Sequence, residues 1–199
     1  MTSGPAPARL PRGRHGLSRE EVVESQRGRL LRAMADAVAD KGYAATAVAD
    51  VIARAGVSRE TFYEQFSSKE SCFLETFDAA GAILLGRIAG TQGGEGTPEE
   101  RFAGLLRAYL AALEAEPSYA RTFLVEVHAA GPEALRRRMA MQGRFTDALV
   151  ELFGARAAHE RFACELLVAA LGAMVTTRIA LGEGASLHEL EEPILDLVR

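Results

Sequence analysis

A short predicted helix carries four polar side chains that could contact nucleic acid. They are Arg59, Thr61, Tyr63 and Gln65. These side chains occupy positions that the predicted core residues Phe62 and Phe66 leave free. Arginine, threonine and tyrosine bond phosphates, and arginine and glutamine also bond base edges in a major groove. Because Glu60 and Glu64 lie among them and repel phosphate, the net charge of the helix alone does not predict DNA binding.

The stretch that positions these side chains is predicted to form two short helices joined by a glycine turn. Apolar residues at helical spacing define the first helix: Val48, Val51, Ile52 and Ala55. Gly56 then permits the positive φ of a sharp turn, and Ser58 can cap the second helix. The pattern is typical of a helix-turn-helix unit, although an ordinary pair of helices within an all-helical domain has the same outline.

The run AGVSRETFYEQFSSKE, with Thr46 ten residues before Gly56, resembles the DNA-binding signature of the tetracycline-repressor (TetR) family of bacterial transcriptional regulators. The matching positions are Thr46, Val51, Ala55, Gly56, Val57, Ser58, Tyr63, Phe66, Lys69 and Glu70. Two positions depart from the signature: Ile52 stands where a small alanine is usual, and Gln65 where histidine is common. These departures bear on the helix packing angle and on operator preference.

The residue types and the resemblance together predict the DNA-binding residues Thr46, Ser58, Arg59, Thr61, Tyr63, Gln65 and Lys69. Lys69 is included because it lies in the first turn of the next predicted helix. Free backbone N–H groups and the helix dipole favour a phosphate at that position.

Composition predicts an all-α protein of about nine helices, since alanine and leucine dominate the 199 residues and alternating β-branched runs are few. No apolar run is expected to span a membrane and no secretory signal opens the sequence, so we expect a cytoplasmic protein. Cys72 and Cys164 are far apart and are expected to be reduced and buried. No motif of a hydrolase, a metalloprotease or a nucleotide-binding loop occurs, so we expect no enzyme activity, metal or cofactor.

The distribution of charge suggests three segments. Residues 1–66 hold ten Lys and Arg against eight Asp and Glu, whereas residues 67–199 hold thirteen against nineteen. We expect a flexible basic arm at 1–17, a helix-turn-helix domain at 18–66 and a ligand-binding and dimerisation domain at 67–199. The arm carries Arg9, Arg12 and Arg14, which either reach a minor groove or form a solvated tail.

Helix start signals divide the chain further. Ser18 with Glu21, Ser67 with Glu70, Thr97 with Glu100, and Ser186 with Glu189 all fit capping boxes. The first helix should end at Gly42, and a flexible glycine linker is expected from Gly90 to Gly96. The last helix is expected from Leu187 to Val198.

The C-terminal helices carry small residues interleaved with leucines, which permits close helix approach. The TetR resemblance implies that the last two helices pair with those of a second copy. The resulting homodimer would place two recognition helices on a palindromic double-stranded operator. A monomer that buries the same stripe internally is the alternative.

A ligand cavity or plain core is predicted in the middle of the chain. The candidate lining residues are Tyr109, Phe123, His128, Phe145, Met174 and Arg178. His128 and Arg178 lie in apolar stretches and need a partner, which is either an acidic ligand or a carboxylate such as Glu126 or Glu165. The three arginines at 136–138 are predicted to form a solvated face.

The resemblance implies a transcriptional regulator, most often a repressor, that a small and apolar effector releases from its operator by shifting the fourth helix. Two other classes stay open. One is a helical small-molecule binding protein without operator binding, and the other is a protein-interaction adaptor that uses the three arginines and the C-terminal helices.

Overall fold

The structure, a computed structural model, describes residues 18–90 and 96–198, which form nine α-helices and no strand. The helices are α1 (Arg19–Ala45), α2 (Val48–Ala55), α3 (Arg59–Gln65), α4 (Lys69–Ala89), α5 (Pro98–Ala115), α6 (Pro117–Leu124), α7 (Pro132–Phe153), α8 (Ala158–Ala180) and α9 (Glu191–Val198). Two 3-10 segments, Glu126–Ala129 and Gly184–Leu190, precede α7 and α9. The all-α prediction is confirmed. The predicted basic arm, with Arg9, Arg12 and Arg14, and positions 91–95 of the predicted linker lie outside the described residues.

Two predicted capping boxes are present. The Ser18 N–H donates to Glu21 Oε2 at 2.6 Å, and the Glu21 N–H donates to Ser18 Oγ at 3.2 Å. Thr97 and Glu100 exchange the same two bonds at 2.9 and 3.3 Å, with Pro98 as the first residue of α5. Both helices therefore begin where their free N–H groups find local acceptors.

The other two predicted caps are wrong. α4 begins one residue later than Ser67 predicts, so Ser68 is the cap and exchanges two 3.0 Å bonds with Ser71. The last helix is also shorter than predicted, because Ser186 bonds back to the Glu183 carbonyl at 3.1 Å instead of capping. The chain therefore forms a 3-10 segment there, and α9 begins only at Glu191.

α1 is the helix around which the N-terminal half is built, since it packs against α2, α4 and α6. The predicted stop at Gly42 appears as a kink, where φ is 80° and the helical hydrogen bonds are redirected. A Cβ at this position would lie 3.4 Å from Glu126 Oε2. This distance is an ordinary van der Waals contact, so it is the positive φ that favours glycine here.

α4 connects the two halves of the molecule through aromatic contacts. Phe73 meets Tyr43 of α1 edge to face at 4.8 Å between ring centroids. One turn later, Phe77 stacks on Phe123 of α6 at 4.8 Å. Burying each phenylalanine contributes about 1.5–3 kcal/mol, so these two adjacent turns fix the position of α4 against both halves.

Both cysteines are free and buried, as expected from their separation in sequence. Burial raises the pKa of the Cys72 thiol to about 12 and also raises the pKa of Cys164. A thiol rather than a reactive thiolate is therefore present at neutral pH, and both residues act as small apolar groups of the core.

α8 leaves much of its apolar surface uncovered. The exposed large side chains on it and just beyond it are Phe162, Leu166, Met174 and Leu181. By length and composition alone α8 could cross a bilayer, which corrects the expectation that no apolar run reaches that length. One helix of this kind is only weak evidence for a membrane span. An exposed apolar face can also form a contact with another protein.

Candidate nucleic-acid interface and internal cavity

α2, the turn and α3 form the predicted helix-turn-helix. Gly56 adopts φ 63° and ψ 41°, and its N–H donates to the Ile52 carbonyl at 2.9 Å. Arg29 of α1 donates to the Ala55 carbonyl at 2.8 Å, which satisfies a further free carbonyl at the end of α2. Phe62 is fully buried beneath α3. The angle between the two helices is thus fixed by the turn and by core packing.

α3 presents a mixed face to solvent. Arg59 and Tyr63 are exposed neighbours on this face, with the guanidinium carbon 5.4 Å from the tyrosine ring centroid. Glu60 and Glu64 are exposed as well. Because carboxylates repel phosphate, attraction to DNA must come from Arg59 and from cations on neighbouring helices.

The hydroxyls of Ser58 and Thr61 engage each other at the start of α3. Ser58 Oγ accepts the Thr61 N–H at 3.0 Å, and the two hydroxyl oxygens are 2.9 Å apart. Ser58 therefore caps the helix as predicted. The predicted role of these residues as phosphate contacts stays a prediction.

Gln65 and Lys69 are both partly buried and bonded within the protein. The Gln65 amide nitrogen donates to the Val23 carbonyl at 3.3 Å. Lys69 Nζ donates to the Tyr43 carbonyl at 3.0 Å and lies 4.2 Å from the centroid of the Tyr43 ring. Each side chain keeps further hydrogen-bonding capacity beside these bonds, because Lys69 has two more N–H donors and the Gln65 amide has a second N–H and an acceptor oxygen.

Thr46 is the one predicted DNA contact that the fold directs elsewhere. Its side chain is 2% exposed, and its hydroxyl donates to the Gly42 carbonyl at 2.8 Å. A second acceptor, the Ala37 carbonyl, lies at 3.3 Å. Thr46 thus ends α1 and positions α2, which corrects its assignment to the DNA-contacting set.

A cavity of about 520 Å³ opens between α5, α6, α7 and α8, within the size range of small-molecule sites. Four of the six predicted lining residues border it: Tyr109, Phe123, His128 and Phe145. A smaller inner cavity of about 130 Å³ lies beside it and shares Tyr109 and Phe145. These two rings pack edge to face at 6.1 Å between centroids and border both spaces.

Met174 and Arg178 do not line either cavity, so their assignment as pocket residues is wrong. Met174 lies on the outward face of α8 with 43% of its surface exposed. Arg178 donates to the Ser186 carbonyl at 2.8 Å and pairs with Glu189 at 3.1 Å. The partner of this arginine is therefore a carboxylate of the 3-10 segment before α9, rather than Glu126 or Glu165.

Arg138 is the cavity residue that sequence reasoning missed. Arg136 pairs with Glu133 at 2.7 Å, and Arg137 pairs with Asp78 and Glu133, but Arg138 borders the cavity. The predicted solvated face thus holds for two of the three arginines. Helical periodicity was the available signal, since a step of 100° per residue sends one of three consecutive side chains toward the other side of α7.

Glu126 joins the cavity region to the helix-turn-helix half. This buried carboxylate accepts the Tyr43 N–H at 2.9 Å through Oε2, and Oε1 lies 3.3 Å from Nε of Arg121. Glu126 lies between two cavity-lining residues, Leu124 and His128, while the carbonyl of Tyr43 accepts the Lys69 bond. A short chain of bonds therefore runs from the cavity wall to a predicted DNA contact.

These features define an all-α protein with a helix-turn-helix unit in its N-terminal part and a cavity among α5, α6, α7 and α8. A family profile described as "Bacterial regulatory proteins, tetR family" matches residues 30–76, which run from α1 into α4. No curated protein sequence gives a significant match. The resemblance stated from the sequence is confirmed, and the chain carries the DNA-binding segment and the fold of TetR-family transcriptional regulators.

Solved structures with this fold cover most of the chain at low identity. The fatty acid degradation regulator FadR from Bacillus halodurans has a TM-score of 0.76 at 20% identity, over 86% of this chain and 93% of that one. A TetR-like regulator from Rhodococcus sp. RHA1 has a TM-score of 0.70 at 20% identity, over 94% and 96%. FadR from Bacillus subtilis, determined in complex with stearoyl-CoA, has a TM-score of 0.71 at 17% identity, over 85% and 95%.

Proposed function

We propose that the protein is a homodimeric transcriptional repressor that binds a palindromic operator through α3 and is released by a small, largely apolar effector in the cavity. The observation that carries the proposal is the family match over residues 30–76, which coincides with an α2-turn-α3 unit whose Arg59 and Tyr63 face solvent. No catalytic role is proposed. As a bacterial DNA-binding regulator, the protein would act in the cytoplasm.

The proposed DNA contacts are Ser58, Arg59, Thr61, Tyr63, Gln65 and Lys69. Arg59 and Tyr63 are exposed without rearrangement and serve as the first contacts. Lys69 lies in the first turn of α4, where its charge and the free N–H groups of that turn favour a phosphate. Gln65 carries an amide whose oxygen and second N–H can contact a base edge while the first N–H bonds the Val23 carbonyl.

Dimerisation is proposed through α8 and α9. The uncovered apolar surface of α8 and the 84% exposed Leu197 of α9 favour burial against the same surface of a second copy. Two-fold symmetry would then present two α3 helices to successive major grooves. One α3 helix that carries Glu60 and Glu64 is expected to attract DNA only weakly. Two α3 helices that bind the same operator together increase the overall affinity.

Release is proposed to follow two contacts between the cavity wall and the DNA-facing half. Phe123 lines the cavity and stacks on Phe77 of α4, so an effector that moves this ring also moves α4. The second contact is a pair of hydrogen bonds: Glu126 accepts the Tyr43 N–H, and the Tyr43 carbonyl accepts a bond from Lys69. An effector that binds more tightly to the protein with α4 displaced reduces the affinity for DNA. The coupling free energy between two such sites is typically about 1–3 kcal/mol.

The nature of the effector is supported by the lining and by a structural neighbour. The cavity wall is mostly apolar and aromatic, which favours a hydrophobic ligand. The FadR structure from Bacillus subtilis contains stearoyl-CoA, so a protein of the same fold accommodates a long apolar chain.

The test is fluorescence anisotropy of the full chain on DNA from upstream of its own gene, against scrambled DNA at rising salt. We expect binding to the upstream DNA to persist at salt concentrations that abolish binding to scrambled DNA. Analytical ultracentrifugation of the same sample should give a dimer. If no genomic DNA binds above the scrambled control, the protein is instead a helical small-molecule binder or an adaptor.

A further inference from the structure

Arg138 is a cation held at the cavity without a carboxylate partner. Its Nη1 donates a long hydrogen bond of 3.4 Å to the Phe123 carbonyl, and its Cζ lies 5.8 Å from the centroid of the Phe123 ring. Within residues 18–90 and 96–198, no Asp or Glu forms an ion pair with it. The two arginines before it in sequence both have such pairs, so Arg138 differs from them by position rather than by type.

A partly buried guanidinium without a counter-ion is costly to the fold. Burial lowers the pKa of Arg138, because the low-dielectric surroundings disfavour its charged form. Arginine nevertheless stays protonated at neutral pH, so a positive charge faces the cavity. One long bond to a carbonyl compensates poorly for lost water, and an anion entering the cavity would regain that energy.

Tyr109 adds a neutral polar group to the same wall. Burial raises the pKa of its phenol to about 12, so at neutral pH it carries its proton and can donate a hydrogen bond. Tyr109 and Arg138 both line this cavity, and the positive charge of Arg138 opposes part of the rise in the pKa of the phenol. His128, Gln142, Thr176 and Thr177 add further polar groups to the cavity wall, but none of its described lining residues is Asp or Glu. A wall with one guanidinium, several neutral polar groups and no carboxylate suits an acidic group.

The second space, called the inner cavity, adjoins the first at the Tyr109 and Phe145 rings and is largely apolar. Its wall includes the aliphatic and aromatic side chains of Leu85, Ile88, Phe102, Leu105, Leu106 and Leu149. Arg144 is the charged residue on this wall. A ligand that fills both spaces therefore needs an acidic end and a hydrophobic end.

We infer that the cavity binds an amphiphile whose acidic group pairs with Arg138 and whose apolar chain passes Tyr109 and Phe145 into the inner cavity. This inference rests on the proposed effector-binding function and specifies the class of ligand. A guanidinium binds carboxylate and phosphate oxygens in the same two-pronged geometry. The shared chemistry is an anionic group on a long chain, which a free acid or a phosphate-bearing derivative can supply.

The experiment is isothermal titration calorimetry of the full chain with dodecanoate, dodecyl phosphate and dodecanol at neutral pH, all below their aggregation concentrations. We expect at least one of the two acids to bind about tenfold or more tightly than the alcohol of the same chain length. The preferred acid identifies the source of the anionic group. Acetate and inorganic phosphate alone should bind weakly, because they leave the apolar walls unfilled.

Arg138→Met keeps the apolar stem and removes the charge. We expect it to weaken binding of the preferred acid by about 10- to 100-fold, the loss typical of a charge-assisted bond, and to leave dodecanol unchanged. Arg138→Lys should retain part of the affinity. Arg136→Met is the matched control, because it removes an exposed arginine of the same helix that pairs only with Glu133.

Leu105→Phe tests the position of the chain. This substitution fills the inner cavity, so the preference for dodecanoate over octanoate should fall while the requirement for Arg138 persists. Thermal melting of each variant confirms that it is folded.

Any of three results would overturn the inference. Dodecanol binds as tightly as the acids, Arg138→Met binds the preferred acid as tightly as the wild type, or the folded wild type binds no acid. Anisotropy with operator DNA on the same preparations separates it from the proposed function. DNA binding without acid preference removes only the inference. Acid preference without DNA binding supports the inference and leaves a small-molecule binder.

Discussion

The helix-turn-helix and the cavity are specified by the sequence in different ways. In the helix-turn-helix, the positions of Gly56, Ser58 and Phe62 depend on neighbours a few residues away, and the local pattern predicted all three. In the cavity region, Arg138 and Arg178 exchange the roles expected of them. The arginine predicted to be solvated lies at the cavity, and the one predicted for the cavity pairs with Glu189.

Local signals fix the conformation of short elements, but they do not determine which long-range partner a charged side chain finds. Turn and cap residues act through bonds within their own loop. A long arginine side chain on α7 or α8 can instead reach several neighbouring elements, and only tertiary packing decides among them. Substitutions in the two regions should therefore differ in their effects on stability and on DNA binding.

The first prediction separates folding from DNA contact at two adjacent positions of α3. Phe62→Ala should lower the free energy of unfolding by about 3–5 kcal/mol, because it opens a cavity under a fully buried ring. Tyr63→Ala should change stability by less than about 1 kcal/mol, because the tyrosine is 45% exposed. Urea denaturation measures both values.

DNA anisotropy on the same two proteins completes the comparison. Tyr63→Ala should weaken binding on specific and scrambled DNA alike while the protein stays folded. If folded Tyr63→Ala binds operator as tightly as the wild type, the tyrosine is not a DNA contact.

The second prediction concerns the bond between the two regions. Glu126→Ala should lower the free energy of unfolding by about 2–3 kcal/mol, because it leaves the Tyr43 N–H without its acceptor and removes the carboxylate that is paired with Arg121. Glu126→Gln keeps an acceptor for Tyr43 and should cost less. Chemical denaturation gives both values, and Glu133→Ala, which breaks only exposed pairs, is the control.

The same variants should also alter DNA affinity if the proposed coupling is correct. Glu126 is far in sequence from α3, yet through Tyr43 it positions Lys69. A folded Glu126→Ala protein with wild-type operator affinity, and with an unchanged response to effector, would show that this bond is structural only.

How far sequence alone predicts the molecule follows from these cases. Ser18 and Thr97 predicted helix starts to the residue, because both members of each capping box lie within one turn. Ser67 and Ser186 failed, since a neighbouring serine or a 3-10 turn offered competing local bonds. Thr46 matched the DNA-binding signature yet is buried, because a signature records both the residues that hold a motif together and those that contact DNA.

The third prediction addresses base recognition. Gln65→Ala should reduce discrimination between the preferred operator and single-base variants by about 1–2 kcal/mol, with little change on scrambled DNA. The reason is that an amide can bond two atoms of a base edge, whereas alanine cannot. Competition of operator variants in anisotropy measures the change. If the order of preference among the operator variants is unchanged, Gln65 has only a structural role through its hydrogen bond to the Val23 carbonyl.

The fourth prediction concerns Lys69, which begins α4 and donates a hydrogen bond to the Tyr43 carbonyl. Lys69→Met should weaken binding to every DNA by about 1 kcal/mol and reduce the slope of log affinity against log salt by about 1, as expected for one lost phosphate contact. A purely structural lysine would lower stability and leave the salt slope unchanged. Arg59→Met, on the exposed face of α3, should reduce the slope without altering the Tyr43 bond. The two slopes therefore decide whether Lys69 contacts DNA itself or only positions its neighbours.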